Sequence, residues 1–213
     1  MGREFLEVFT DWADSYDGFI EGAAEEYSRV FQRYDEILDE VVNRSGQTII
    51  EFGVGTGNLT KKFLDKGKKV FPIEPSVEMR SIASTKLGEL VTIHDGDLLD
   101  FPKPEISIDT IAHSFVFHHL TDPEKREALR LYHALLAPGG KMVYADTMFL
   151  TQEAFDEEIR KAEAANYLNL SADLKREYYP LIPNIQPFFV EQGFDVSFKQ
   201  YNDFVWLVEA IKK

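Results

Sequence analysis

Thr48-Ile49-Ile50-Glu51-Phe52-Gly53-Val54-Gly55-Thr56-Gly57 is a β-prone run that breaks into three glycines at alternate positions. Apolar and polar residues at helical spacing follow, from Leu59 to Leu64. Strand, glycine turn, helix is the opening unit of an open α/β sheet, and ligands of such sheets bind at the carboxyl ends of the strands. A turn this tight needs residues without a Cβ, both to reach unusual backbone angles and to let the chain touch a ligand. The spacing is G-x-G-x-G. A dinucleotide site uses G-x-G-x-x-G, which would require a glycine where this chain has Asn58. The pattern therefore suits a cofactor without phosphates better than one with a pyrophosphate.

The unit recurs downstream. Lys69-Val70-Phe71-Pro72-Ile73 leads to Glu74 and a helix predicted from Ser76 to Leu87, and Val91-Thr92-Ile93 leads to Gly96-Asp97. A fourth strand is expected at 108–115. Thr121, Pro123 and Glu124 then supply a hydroxyl cap, a first-turn proline and the carboxylate of a capping box for a helix reaching Leu136. Pro138-Gly139-Gly140 stops that helix before a fifth strand at 141–145, and strands at 194–199 and 204–211 close the chain around Asn202-Asp203. Strands alternating with helices predict an α/β, doubly wound, Rossmann-like sheet of seven strands, mostly parallel with an antiparallel last strand.

Two regions flank this core. Before it, Phe5, Val8, Phe9 and Trp12, then Tyr27, Val30, Phe31, Tyr34, Ile37, Leu38 and Val41 recur at helical spacing and predict two or three helices. After the fifth strand, residues 147–192 read as helical and charged, interrupted at Tyr178-Tyr179-Pro180-Leu181-Ile182-Pro183. The expected organisation is one domain over 1–213: a helical cap (1–44), a cofactor-binding core (47–146), an inserted helical lid (147–192) and closing strands (194–213).

Composition narrows the function. The chain has 213 residues, enough to bury one sizeable core, and 44% of them are hydrophobic. Its 23 Lys+Arg against 37 Asp+Glu give a formal charge of -14, which repels phosphate backbones and anionic membranes, so neither is an expected partner. The short cluster Lys66, Lys68 and Lys69 reads as a solvated loop. Without cysteine there are no disulfides, thiolate ligands or thiol nucleophile, which fits a cytoplasmic protein. The start, Met1-Gly2-Arg3-Glu4-Phe5, is too charged for a signal peptide, and no apolar run approaches a membrane span.

Two acidic residues sharpen the glycine signal. At the end of the second strand Glu74 can accept both hydroxyls of a nucleoside ribose, each charge-assisted bond contributing about 1.5–3 kcal/mol. At the end of the third, Asp97 can accept from an adenine amino group. The alternative role for both is capping of the next helices. Glu51, Gly53, Gly55, Gly57, Glu74 and Asp97 form the candidate cofactor site.

Together these motifs resemble the seven-stranded class I S-adenosylmethionine (SAM)-dependent methyltransferases over 47–146. Phe117-His118-His119-Leu120-Thr121-Asp122-Pro123 and Leu136-Ala137-Pro138-Gly139-Gly140 resemble the fourth-strand exit and the turn before the fifth strand in small-molecule members of that class. Nearly the whole chain is similar to the YrrT-type family of bacterial SAM-dependent methyltransferases, through Trp12-Ala13-Asp14-Ser15-Tyr16-Asp17, the run from Glu51 to Lys62, Ile73-Glu74-Pro75-Ser76 and Asn202-Asp203-Phe204-Val205-Trp206-Leu207. The resemblance implies SAM as cofactor, with contacts at Gly53, Glu74 and Asp97, and in-line transfer of a methyl group to a small-molecule acceptor. Neither the accepting atom nor an oligomeric state is encoded in these motifs.

In-line transfer is mainly a matter of alignment and requires no conspicuous dyad, so no catalytic residue is assigned. His113, His118 and His119 are the histidines available as a base, with packing or cofactor contact the favoured role. On an extended strand His118 and His119 would face opposite ways. A metal is not expected there, because the spacing H-x-x-x-x-H-H matches no structural ligand pattern and no acidic residue adjoins it. Tyr16, Tyr178 and Tyr179 are candidates to meet a sulfonium face-on. Two rivals are an NAD(P)-dependent oxidoreductase, opposed by the glycine spacing, and a non-catalytic SAM-binding domain.

Overall fold

The structure, a computed structural model, describes Gly18, Ile20 and residues 24–213. The helical positions Phe5, Val8, Phe9 and Trp12, together with Tyr16 and the 12–17 motif, lie outside the described residues.

Among the described residues the chain forms one six-stranded sheet. Its strands are β1 (Thr48–Phe52), β2 (Lys69–Ile73), β3 (Thr110–Ser114), β4 (Lys141–Thr147), β5 (Phe194–Gln200) and β6 (Val205–Lys212). Their order across the sheet is β2-β1-β3-β4-β6-β5. β1 pairs parallel with β2 and β3, β3 parallel with β4, and β6 runs antiparallel to both β4 and β5. After β2 the chain crosses β1 to begin β3, so the order reverses between β1 and β3. That gap is where a doubly wound sheet opens a crevice at its carboxyl edge.

Seven strands were expected and six form. Residues 91–93 form no strand, and the next residue, His94, makes a single parallel bridge with Ile73. His94 N–H donates to the Pro72 carbonyl at 2.9 Å, and Glu74 N–H donates to the His94 carbonyl at 3.0 Å. The next bond of a parallel ladder would run from the N–H of residue 72 to the carbonyl of residue 92, and proline has no N–H to give. Pro72 therefore ends the pairing after one step.

Side chains alternate between two cores on opposite faces. Ile50 and Phe52 of β1 and Met142 and Tyr144 of β4 pack on one face, Ile49, Val143 and Ala145 on the other. The first face is covered by α4 (Asp122–Leu135) and α7 (Ile182–Glu191), through Ala128, Leu129, Tyr132, Ile185 and Phe189. Over the second lie α1 (Tyr34–Arg44), α2 (Asn58–Asp65), α5 (Gln152–Ala164) and α6 (Leu168–Arg176). A smaller cluster joins α3 (Val77–Leu87) to Val54 through Ala83 and Leu87.

Local signals set the helix ends. Ser76 caps α3, its hydroxyl accepting from Met79 N–H at 3.2 Å. Glu124 reaches back to Thr121 N–H at 2.9 Å in the expected capping box of α4, an arrangement contributing about 1 kcal/mol. The helical periodicity from Tyr27 to Val41 is not one helix. Glu25–Tyr27 is a single 3₁₀ turn, and Arg33 takes a left-handed φ of 65° before α1 begins. Lys68 is no solvated lysine: its ammonium donates to the Val42 and Ser45 carbonyls, both at 2.6 Å, and closes the end of α1. Among the described residues no helix is long and apolar enough to cross a membrane.

Candidate functional site

Gly53 follows β1 directly, with φ of 65° and its N–H donating to the Ile73 carbonyl at 2.9 Å. A Cβ there would sit 2.4 Å from a methyl of Val116, which follows β3. Only glycine lets the turn pass this close to the neighbouring strand exit. Gly55 has a φ of 57°, yet a Cβ on it would meet nothing within 4 Å. Its freedom is needed by the backbone alone, and its open side faces no packed neighbour. Gly57 precedes the first turn of α2 without any side-chain cap.

The second-strand acid closes onto this turn. One oxygen of Glu74 accepts Gly55 N–H at 2.8 Å, and the other accepts Ser76 N–H at 2.8 Å. One carboxylate thus joins the glycine turn to the start of α3. Glu74 is buried, and burial raises its pKa against the opposing pull of these two N–H groups and Arg80. Glu51, facing α2 from within β1, accepts the Thr60 hydroxyl at 2.7 Å. Burial, with a lesser contribution from the charge of Glu74, pushes it up to about 8. Asp97 is buried as well; one of its oxygens accepts from Leu99 N–H and Asp100 N–H, both at 2.9 Å. Glu74 thus has the helix-capping role weighed for it, at the start of α3, whereas Asp97 closes a turn that no helix follows before β3. Each oxygen of the Glu74 carboxylate has room for a second donor.

The histidines behave differently from one another. His113 sits inside β3, fully buried between Phe117 at 5.2 Å and Tyr144 at 4.2 Å. Burial drives it down to about 3, and its ring nitrogens make no hydrogen bond with the described residues, so it is a neutral core side chain. His118 and His119 lie on a 3₁₀ turn, Phe117–His119, rather than on an extended strand. Their rings are consequently neighbours, 4.3 Å apart, instead of pointing to opposite faces.

Two acids meet them. Asp146, near the end of β4, lies 2.5 Å from His118 Nδ1 and accepts His118 N–H at 3.0 Å. Glu177, following α6, lies 3.3 Å from His118 Nε2. Burial disfavours a charged His118, but Asp146 and Glu177 outweigh it and lift the imidazole to about 10. Glu177 falls to about 2 in return: burial opposes its charge, and His118 restores it. His119, buried beside the charged His118, drops to about 3. No acidic residue adjoins the histidine pair in sequence, but two reach it in space from distant segments.

The stretch 177–181 is fastened to the strand exits. Tyr178 N–H donates to the His118 carbonyl at 3.0 Å, and Phe149 and Leu181 form a parallel bridge. Fully buried Lys125 donates to the Leu120 carbonyl and, at 2.8 Å, to the Tyr178 carbonyl. Tyr179 stacks on His118 at 4.8 Å and donates its hydroxyl to Glu177, whereas Tyr178 is exposed. Sequence reasoning named His118, His119 and Tyr179 but missed Asp146, Glu177 and Lys125. Asp146 is a lone charge inside an apolar strand and Lys125 a lysine in the first turn of α4, whereas Glu177, in the charged run Lys175-Arg176-Glu177 at the end of α6, carries no such signal.

This architecture has recognisable relatives. Residues 49–140 match the family described as a methyltransferase domain. A protein of Geobacillus kaustophilus described as an uncharacterized methyltransferase is 53% identical over 213 residues, covering 100% of this chain and 99% of its own. The chain belongs to this methyltransferase family. Among solved structures, the YcgJ protein of Bacillus subtilis superposes with a TM-score of 0.64 at 17% identity, over 84% of this chain and 99% of its own. Magnesium protoporphyrin IX methyltransferase of Synechocystis, solved with bound SAM, gives 0.64 at 15% identity, over 98% and 97%. The family match spans the glycine turn after β1, and the solved structures share the fold.

Proposed function

We propose that this methyltransferase uses SAM and transfers its methyl group to a small-molecule acceptor. One observation carries the reading. The Glu74 carboxylate binds the Gly55 N–H, so the strand-end acid and the glycine turn form one continuous cradle over the carboxyl ends of β2 and β1, next to the gap between β1 and β3. The open side of Gly55 leaves room for a ligand against the backbone, as a phosphate-free nucleoside cofactor requires.

In this reading Glu74 accepts the ribose hydroxyls with the lone pairs its two backbone bonds leave over, and Asp97 accepts from the adenine amino group. Gly53 and Gly55 let the backbone approach the ligand, and Gly57 opens α2 beside it. Glu51 stands behind the turn, where an ammonium group on the cofactor would favour its ionised form. The sulfonium of SAM supplies an activated methyl group with a good leaving group. The chain therefore has to orient the acceptor and exclude water, an alignment effect contributing roughly 7–11 kcal/mol. The anchored stretch 177–181 and the lid expected over 147–192 would exclude water on the acceptor side. Negative overall charge and the near-complete burial of His118 and His119 favour a small acceptor over a nucleic acid.

A thermal-shift comparison with SAM, S-adenosylhomocysteine, NAD and NADP tests the cofactor, since a ligand of the folded state raises its stability by mass action. The first two should raise the melting temperature and the nicotinamides should not. The reverse result would replace this reading with the oxidoreductase. In calorimetry, Glu74→Ala should weaken SAM binding about 10- to 100-fold, corresponding to the loss of one charge-assisted hydrogen bond. Unchanged affinity in the folded variant would remove Glu74 from the ribose site.

A further inference from the structure

The exits of β3 and β4 hold a second constellation that the cofactor reading does not use. A ring nitrogen of His118, one of His119 and a carboxylate oxygen of Glu177 all lie within 4.8 Å of one another. Both histidines are buried, and the Glu177 side chain is only 10% exposed. His118 Nε2 and Glu177 Oε2 are 3.3 Å apart, about the edge of a tetrahedron around an ion with ligand bonds of about 2.0–2.1 Å. The far nitrogen of His118 is already engaged: Nδ1 faces Asp146, which also accepts the backbone N–H of His118 and of Thr147. A carboxylate behind a ligating histidine fixes the ring and raises its basicity, the usual support of a metal-bound imidazole. Tyr179 donates its hydroxyl to the same Oε2 of Glu177 and orients that carboxylate.

We propose that His118, His119 and Glu177 form a binding site for a divalent transition-metal ion of the zinc type, with Asp146 as the supporting carboxylate of His118. Two imidazoles and one carboxylate are the donor set of such an ion rather than of Mg2+ or Ca2+, which take oxygen ligands. Three protein ligands leave one position open, as in catalytic zinc sites. Beside a methyl donor, that position would take an acceptor thiol or hydroxyl and lower its pKa. This last consequence rests on the methyltransferase reading; the binding of the ion does not.

The competing occupant is a proton, held by His118 between the two carboxylates. Untagged full-length protein, freed of metal by a chelator and titrated with Co2+, separates the two. One equivalent should bind, with the intense visible bands of four- or five-coordinate Co2+, and Zn2+ should displace it. His119→Gln and Glu177→Gln should each weaken binding at least tenfold, and Asp146→Asn about 10- to 100-fold. X-ray absorption of the wild-type Zn2+ form should find two imidazoles in the ligand shell, a readout that needs no variant to fold. Absence of Co2+ binding by folded wild-type protein, fewer than two imidazoles, or full affinity in both His119→Gln and Glu177→Gln would each overturn the site. Thermal shifts with S-adenosylhomocysteine on the same samples keep the readings apart: loss of that shift with Co2+ binding intact would count against the cofactor alone.

Discussion

The glycine turn after β1 and the histidine turn after β3 stand side by side at the carboxyl edge of the sheet and are built on opposite principles. At the first, carboxylates are held by backbone N–H groups: Glu74 by Gly55 and Ser76, Asp97 by Leu99 and Asp100. At the second, buried side chains hold one another, His118 between Asp146 and Glu177. Backbone partners cannot be mutated away or titrated, so the first site depends on glycines and strand ends. The second depends on charges that must all be present, because each is buried and compensates another.

The comparison can be broken most severely at Asp146. Asp146→Asn leaves a buried His118 without its closest counter-charge and should cost about 3–5 kcal/mol of stability, read from urea denaturation. A loss below about 1 kcal/mol would mean that Glu177 alone sustains the cluster. On the glycine side the effect should depend on which glycine is changed. Gly53→Ala drives a Cβ against Val116 in a left-handed backbone and should cost about 2–4 kcal/mol. Gly55→Ala has the strained backbone but open space, so it should cost about 1–2 kcal/mol. Equal losses in the two variants would refute the distinction between a packed glycine and an open one.

A last test is a pH dependence. Glu51 is raised by burial from 4.5 to about 8, so the folded state binds its proton more tightly than the unfolded chain. Its stabilising contribution is complete below pH 4.5 and is lost as pH rises through about 8. Glu51→Gln should flatten that part of the stability profile and gain relative to wild type toward pH 8. A variant that instead loses ground as pH rises would show that Glu51 is ionised in the fold.

Much of this was legible in the chain itself, where the physics is local. Alternating strand and helix patterns gave the doubly wound sheet, and β1, β2 and the capped start of α4 fall where periodicity and capping put them. Glycines at alternate positions after β1, with acids after the next two strand positions, marked the candidate site, because a tight turn and a strand-end carboxylate need only their own neighbours in sequence. The missing seventh strand is legible too in principle, since Pro72 has no N–H to continue a parallel ladder. Tertiary structure alone decided the rest. It made His118 and His119 neighbours by folding them onto a 3₁₀ turn, and it brought Asp146 and Glu177 to them from β4 and the end of α6. No periodicity encodes such a meeting, since buried charges find their partners through the packing of elements far apart in sequence, and only the assembled sheet edge sets those distances.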